Sequence, residues 1–121
     1  MVKTKSVYDQ INDDDGERIL VTRYWPRGLS RNRLKLVEWI HCLAPSRELL
    51  KDWNNGKITW QEYELRYAEE MQSQQGCIAR LREISTNKTI TLLCFEKEDN
   101  SHCHRHILRR LIEGQAERSA R

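Results

Sequence analysis

The chain has 121 residues, a length that fits one domain around one core. Its composition, 38% hydrophobic and 32% charged, is polar but foldable, and no run approaches the ~20 apolar residues of a membrane span. The net charge of +3 is too small to mark a nucleic-acid binder on its own, and MVKTKSVYDQ lacks the apolar segment of a secretory signal, so a cytoplasmic protein with no membrane association is expected.

Along the chain, KSVYD (5–9) alternates polar and apolar residues and predicts a first strand. NDDDG follows as a turn, and RILVT (18–22) is a continuous apolar run predicting a second strand buried on both faces. The link between them is too short for a helical crossover, so the two strands form a hairpin or pair with other strands. RYWPRG ends the second strand at Pro26 and Gly28, and Ser30 can cap a short helix over SRNRLKL. VEWIHCLA (37–44) reads as a third strand stopped by Pro45. Ser46 then caps a helix whose Leu49, Leu50 and Trp53 face inward, ending at NNGK.

Thr59 and Glu62 form a capping box before Trp60, Tyr63, Tyr67 and Met71, an amphipathic stripe best read as core packing. Gln75-Gly76 predicts a break before another helix that ends near Asn87. TITLLCF (89–95) is the strongest strand in the chain. The last helix, capped by Asn100 or Ser101, runs to Glu113 before Gly114, leaving 114–121 as a flexible tail. The order β-β-(α)-β-α-α-α-β-α implies an α/β fold, a small three-layer sandwich with a mostly parallel central sheet of about four strands, in a single domain over 1–113.

Charge is uneven. Between Glu17 and Glu38 there is no acid but six basic residues, Arg18, Arg23, Arg27, Arg31, Arg33 and Lys35. A second acid-free stretch, 102–112, carries Arg105, Arg109 and Arg110. Such stretches suit an anionic ligand, while a solvated basic face explains them equally simply. Ligands of open α/β sheets bind beyond the carboxyl ends of the strands. There this sequence places Arg23 to Gly28, then Ala44-Pro45-Ser46, then Cys94-Phe95-Glu96 with the segment leading to Cys103-His104-Arg105.

Helical phasing puts His104, Ile107, Leu108 and Leu111 on the buried face of the last helix and sends His102, His106, Arg109 and Arg110 outward. Cys103 falls in the first turn, where free N–H groups and Arg105 would lower a thiol pKa. The alternative is a small buried cysteine at a helix start. Adjacent helical side chains diverge by about 100°, which sets His104 apart from Cys103 and leaves His41 as another partner for it. The four cysteines, Cys42, Cys77, Cys94 and Cys103, include no CxxC pair and are expected as free thiols. His102 with His106, or Cys94 with Glu96, Cys103 and His104, could ligate a metal, but neither set has a zinc-signature spacing, and no metal or cofactor is assigned. GxGxxG and GxxxxGK[ST] are absent.

RILVTRYWPRGLS, EWIHCLAPSRELLKDW and TITLLCFEKEDNSHCHRHIL, in that order, resemble the domain of unknown function 488 (DUF 488) family, and more closely its short branch with WPRG, (A/G)PS and CHR motifs. The resemblance covers nearly all of 5–113. It implies a small α/β domain of soluble prokaryotic proteins, without an established reaction. The residues that match the pattern are Arg23, Trp25, Pro26, Arg27, Gly28, Pro45, Ser46, Glu96, Cys103, His104 and Arg105.

The leading expectation is a protein that binds an anionic, phosphate-containing ligand at the carboxyl rim of the sheet. Arg23, Arg27 and Arg105 would hold the anion, assisted by the Ser46 and Cys103 helix starts. If the protein is an enzyme, Cys103 is the nucleophile or redox thiol and Glu96 or His104 the proton carrier. The alternative is a non-catalytic module. It would bind nucleic acid through the basic residues of 18–35, with Tyr24 and Trp25 stacking on bases, or would dock a protein partner.

Overall fold

A computed structural model describes residues 1–95 and 102–114 of the chain. Four strands, β1 (Val2–Ser6), β2 (Glu17–Leu20), β3 (Glu38–Trp39) and β4 (Ile90–Cys94), form one sheet in the order β1-β4-β2-β3, and every pairing is parallel. Five helices, α1 (Arg31–Leu34), α2 (Arg47–Asn54), α3 (Trp60–Met71), α4 (Gln75–Asn87) and α5 (His104–Glu113), complete the fold, which is α/β as the element order implies.

β4 is the keystone. It pairs with β1 from Val2↔Ile90 to Ser6↔Cys94 and with β2 from Glu17↔Ile90 to Leu20↔Leu93. A strand with neighbours on both edges and layers on both faces needs an unbroken apolar run, and all five of its residues are buried. The first two strands therefore do not form a hairpin: β4 is inserted between them. Gly16 makes the return possible. It sits at φ +64°, and a Cβ there would lie 2.0 Å from the Thr89 carbonyl oxygen.

Several boundaries differ from expectation. The first strand is Val2–Ser6 rather than 5–9, because the register with β4 requires a partner for Ile90 and Val2 supplies it. The third strand shrinks from 37–44 to two residues. Its partner β2 ends at Leu20, and His41–Leu43 coils into a 3-10 turn. The break expected at Gln75-Gly76 comes earlier, as a 3-10 turn over Gln72–Gln74, and Gly76 lies inside α4.

One face of the sheet carries the main core, where Ile19, Val21, Ile90 and Leu92 meet Leu49, Tyr67, Leu81 and Leu108 of the helices. The expected aromatic stripe of α3 is core, with Tyr63, Tyr67 and Met71 buried. The Thr59–Glu62 capping box opens that helix. The other face is thinner. There Val7, Leu20 and Leu93 are covered by Leu34 of α1 and by Trp25, Leu29, Leu36 and Trp39. Its far end holds an ion cluster: Asp15, buried, pairs with Arg18 at 2.6 Å and Lys5 at 2.7 Å. Arg18 Nε also donates to the Leu34 carbonyl at 2.8 Å.

α5 starts later than expected. Its cap is Cys103, not Asn100 or Ser101, both of which lie outside the described residues, as does the tail over 115–121. Gly114 closes the helix at φ +76°. Among the described residues no helix is long and apolar enough to cross a membrane.

Candidate functional site

A cavity of about 250 Å³ opens beyond the carboxyl ends of β2 and β4, where the strand-end rule places it. Thr22 and Arg23 come from the end of β2, Cys94 and Phe95 from the end of β4, and His102, Cys103 and His104 from the start of α5. Trp53 and Tyr63 supply further aromatic wall from α2 and α3.

At one side of this cavity three side chains converge. The buried Cys103 thiol donates to Cys94 Sγ at 3.1 Å, and Cys103 Sγ lies 3.8 Å from His104 Nδ1. His104 Nε2 lies 2.7 Å from the Val21 carbonyl oxygen. A carbonyl only accepts, so Nε2 carries a proton and Nδ1 is the ring nitrogen on the side of Cys103 Sγ. Tyr67 supports the imidazole, with ring centroids 5.7 Å apart and its own hydroxyl donated to the Leu43 carbonyl at 2.6 Å. Burial raises that phenol far above its usual range.

The pairing of Cys103 with His104 was not expected from helical phasing. Cys103 has φ −135° and ψ 141°, so it is the extended cap residue, and the 100° rule does not apply to it. His41 is no partner either: it is exposed and packs on Trp39 at 5.1 Å between centroids.

The thiol is also not acidified. The hydrogen bond to Cys94 and then burial push Cys103 well above the ordinary thiol range. The Arg105 backbone N–H and guanidinium pull it down, as the helix-start argument requires, but more weakly.

The four expected anion-binding residues separate. Arg23 lines the cavity; its Nε donates to the Pro45 carbonyl at 3.0 Å, which anchors the guanidinium. Arg27 lies exposed on the WPRG turn and is not part of the cavity wall. Arg105 is fully buried, with Nη1 donating to the Lys5 carbonyl at 3.3 Å, because positions 105, 108 and 112 share the inward stripe of α5. Ser46 has its helix start served internally: its N–H donates to Glu70 Oε1 at 2.9 Å and its hydroxyl to the other Glu70 oxygen. Its Oγ accepts the Leu49 N–H at 3.1 Å, the cap expected from the sequence. Glu96 lies outside the described residues.

His102 points outward as expected, yet it is not idle. It stacks on Trp60 at 4.6 Å and meets Trp53 edge-on at 5.7 Å, closing one end of the cavity. Trp53 and Tyr63 were read only as core residues. Periodicity identifies an inward face but does not say where that face meets an opening.

The family model described as "Active DUF488-N3 subclade" matches residues 2–116. The chain belongs to this DUF488 family. Two relatives agree with the match. "Uncharacterized protein YeaO" of Escherichia coli (strain K12) is 32% identical over 107 residues, covering 88% of this chain and 92% of that protein. "Uncharacterized protein Rv3073c" of Mycobacterium tuberculosis is 29% identical over 113 residues, covering 93% and 94%. No solved structure matches the chain. In this DUF488 member the three motifs have distinct fates: CHR supplies the thiol and imidazole, WPRG a surface turn, and APS an internally capped helix start.

Proposed function

We propose that the cavity beyond β2 and β4 binds a small phosphate-bearing ligand with a flat apolar part. The observation behind this reading is that Arg23 and the Cys94–Cys103–His104 cluster line one cavity whose remaining wall is largely aromatic. Among the described residues, the Arg23 guanidinium makes no ion pair and only the one bond to Pro45, so its terminal nitrogens are available to an oxyanion. Tyr24, Trp53 and Phe95 are part of the lining and would pack against the flat part. The volume lies just under the roughly 300–1,000 Å³ of ordinary ligand pockets and suits a small molecule better than a polymer.

The nucleic-acid reading loses two of its parts. Arg18 is spent on Asp15, and Trp25 is half-buried, donating Nε1–H to the Leu29 carbonyl at 2.6 Å with its ring edge-on to Trp39. The activated-thiolate reading is also weaker, since Cys103 is held protonated by its neighbour and by burial.

Phenyl phosphate is a suitable probe, followed by quenching of tryptophan fluorescence. Saturable binding should be stronger than for phenol or inorganic phosphate alone. Arg23→Ala should weaken it by roughly 10- to 100-fold, the cost of a charge-assisted hydrogen bond, while Arg27→Ala should leave it unchanged. Equal affinity in wild type and Arg23→Ala, or a loss confined to Arg27→Ala, would overturn the reading.

A further inference from the structure

Cys94 Sγ, Cys103 Sγ and a ring nitrogen of His104 lie within 4.8 Å of one another, all three residues buried. Ligand atoms around a tetrahedral zinc ion, about 2.3 Å from sulfur and 2.0 Å from nitrogen, stand roughly 3.5–3.8 Å apart. Two of the separations, 3.1 Å between the sulfurs and 3.8 Å from Cys103 to the imidazole, lie below that spacing and at its upper edge. A metal therefore seats with side-chain shifts on the order of 1 Å or less.

A second observation is independent of that spacing. His104 is locked by donating Nε2–H to the Val21 carbonyl at 2.7 Å, which leaves Nδ1, 3.8 Å from Cys103 Sγ, as the ring nitrogen free to ligate a metal. Metal-bound histidines nearly always have their other ring nitrogen fixed in this way. The three donors also sit on firm supports, Cys94 at the end of the central strand and Cys103 and His104 at the start of α5. All three residues line the cavity that Arg23 also lines, so a fourth ligand would come from that cavity.

We propose that this DUF488 protein carries a zinc site formed by Cys94 Sγ, Cys103 Sγ and His104 Nδ1, with the fourth position open to the cavity. Two sulfurs and an imidazole select a borderline-soft ion over magnesium or calcium. Both thiols lose their protons on binding, and the two thiolates cancel the charge of the ion in a buried setting. Three protein ligands with an open fourth position is the arrangement of catalytic rather than structural zinc. An oxyanion held by Arg23 would complete the shell. A Cys94–Cys103 disulfide needs only the sulfurs and leaves the orientation of His104 without a role. The proposal shares the cavity with the ligand reading but does not depend on it: Arg23→Ala should weaken phosphate binding by the same roughly 10- to 100-fold and spare the metal.

The test uses the full chain, reduced and stripped with a chelator, titrated with Co²⁺ and separately with Zn²⁺. One ion should bind per chain. The cobalt form should show thiolate-to-metal charge transfer and the intense visible bands of tetrahedral cobalt. Cys94→Ser, Cys103→Ser and His104→Gln should each weaken binding by more than the roughly 10- to 100-fold that loss of a supporting contact costs. Cys42→Ser and Cys77→Ser should bind as wild type. X-ray absorption of the zinc-loaded wild type, which needs no variant to fold, should find two sulfurs, one imidazole nitrogen and one further light atom. No bound metal under reducing conditions, a Cys94–Cys103 disulfide in its place, or a shell lacking either sulfur or imidazole would overturn the site.

Discussion

Cys103 owes its chemistry to a single backbone choice. As the extended cap of α5 it turns its sulfur back toward Cys94 and sideways toward His104; one residue further into the helix it would do neither. Its environment favours the neutral thiol, because Cys94 takes its proton in a hydrogen bond and burial disfavours a thiolate. In metal-free protein, iodoacetamide should therefore label exposed Cys42 at an ordinary rate while Cys103 stays refractory well above pH 8.5, the usual midpoint for a thiol. Labelling of Cys103 near neutral pH would contradict this account. Arg105, two residues along, has a different task. It is wholly buried and ties α5 to β1 through the Lys5 carbonyl, so Arg105→Ala should cost about 2–3 kcal/mol in urea unfolding. Its effect on phenyl phosphate affinity in the folded fraction should be small.

The elements were largely legible where a local signal and the tertiary need coincided. The Thr59–Glu62 box and the Ser30 and Ser46 caps all form, because a helix start must satisfy its own N–H groups whatever packs on it. β4 was legible because its burial on both faces demands five apolar or β-branched residues in a row. The bounds of the edge strands were not. Val2–Ser6 has a single apolar residue, Val2, and only Thr4 between its lysines, and its place is set by the register of β4, which no local pattern reveals. The insertion of β4 between β1 and β2 was equally hidden, and it rests on Gly16. Gly16→Ala meets both a positive φ and the Thr89 carbonyl at 2.0 Å, so it should destabilise by at least roughly 1–3 kcal/mol, measured by urea denaturation. Gly28→Ala also has a positive φ but open space around it, and should cost less. A larger loss at Gly28 than at Gly16 would count against the topology.

Across the whole molecule, the two ends of the sheet divide the charge. The sequence presented six basic residues between 18 and 35 as one feature, but the fold parts them. Arg18 closes the Asp15 cluster at the amino end of β2, whereas Arg23 lines the cavity at the carboxyl end. Burial would raise the Asp15 carboxyl, but hydrogen bonds from Lys5, the Asn12 N–H and Arg18 outweigh it and hold the pKa below the usual aspartate value of 3.8. A depressed carboxylate stabilises the fold above its unfolded pKa, and that stability is lost as pH falls through the folded one. Stability should thus decline with acid below about pH 4, and Asp15→Asn should remove about 3–5 kcal/mol at neutral pH and flatten the acid limb. The sequence offered Cys94, Cys103 and His104 as one possible set and Arg23 at another strand end, but what it could not show is the strand order, and their meeting in one cavity depends on β4 lying beside β2. That convergence is tested most directly by amide NMR of the full chain titrated with phenyl phosphate. The shifts should concentrate at Thr22, Arg23, Cys94, Cys103 and His104, and shifts confined to Arg27, Arg31, Arg33 and Lys35 would contradict the account.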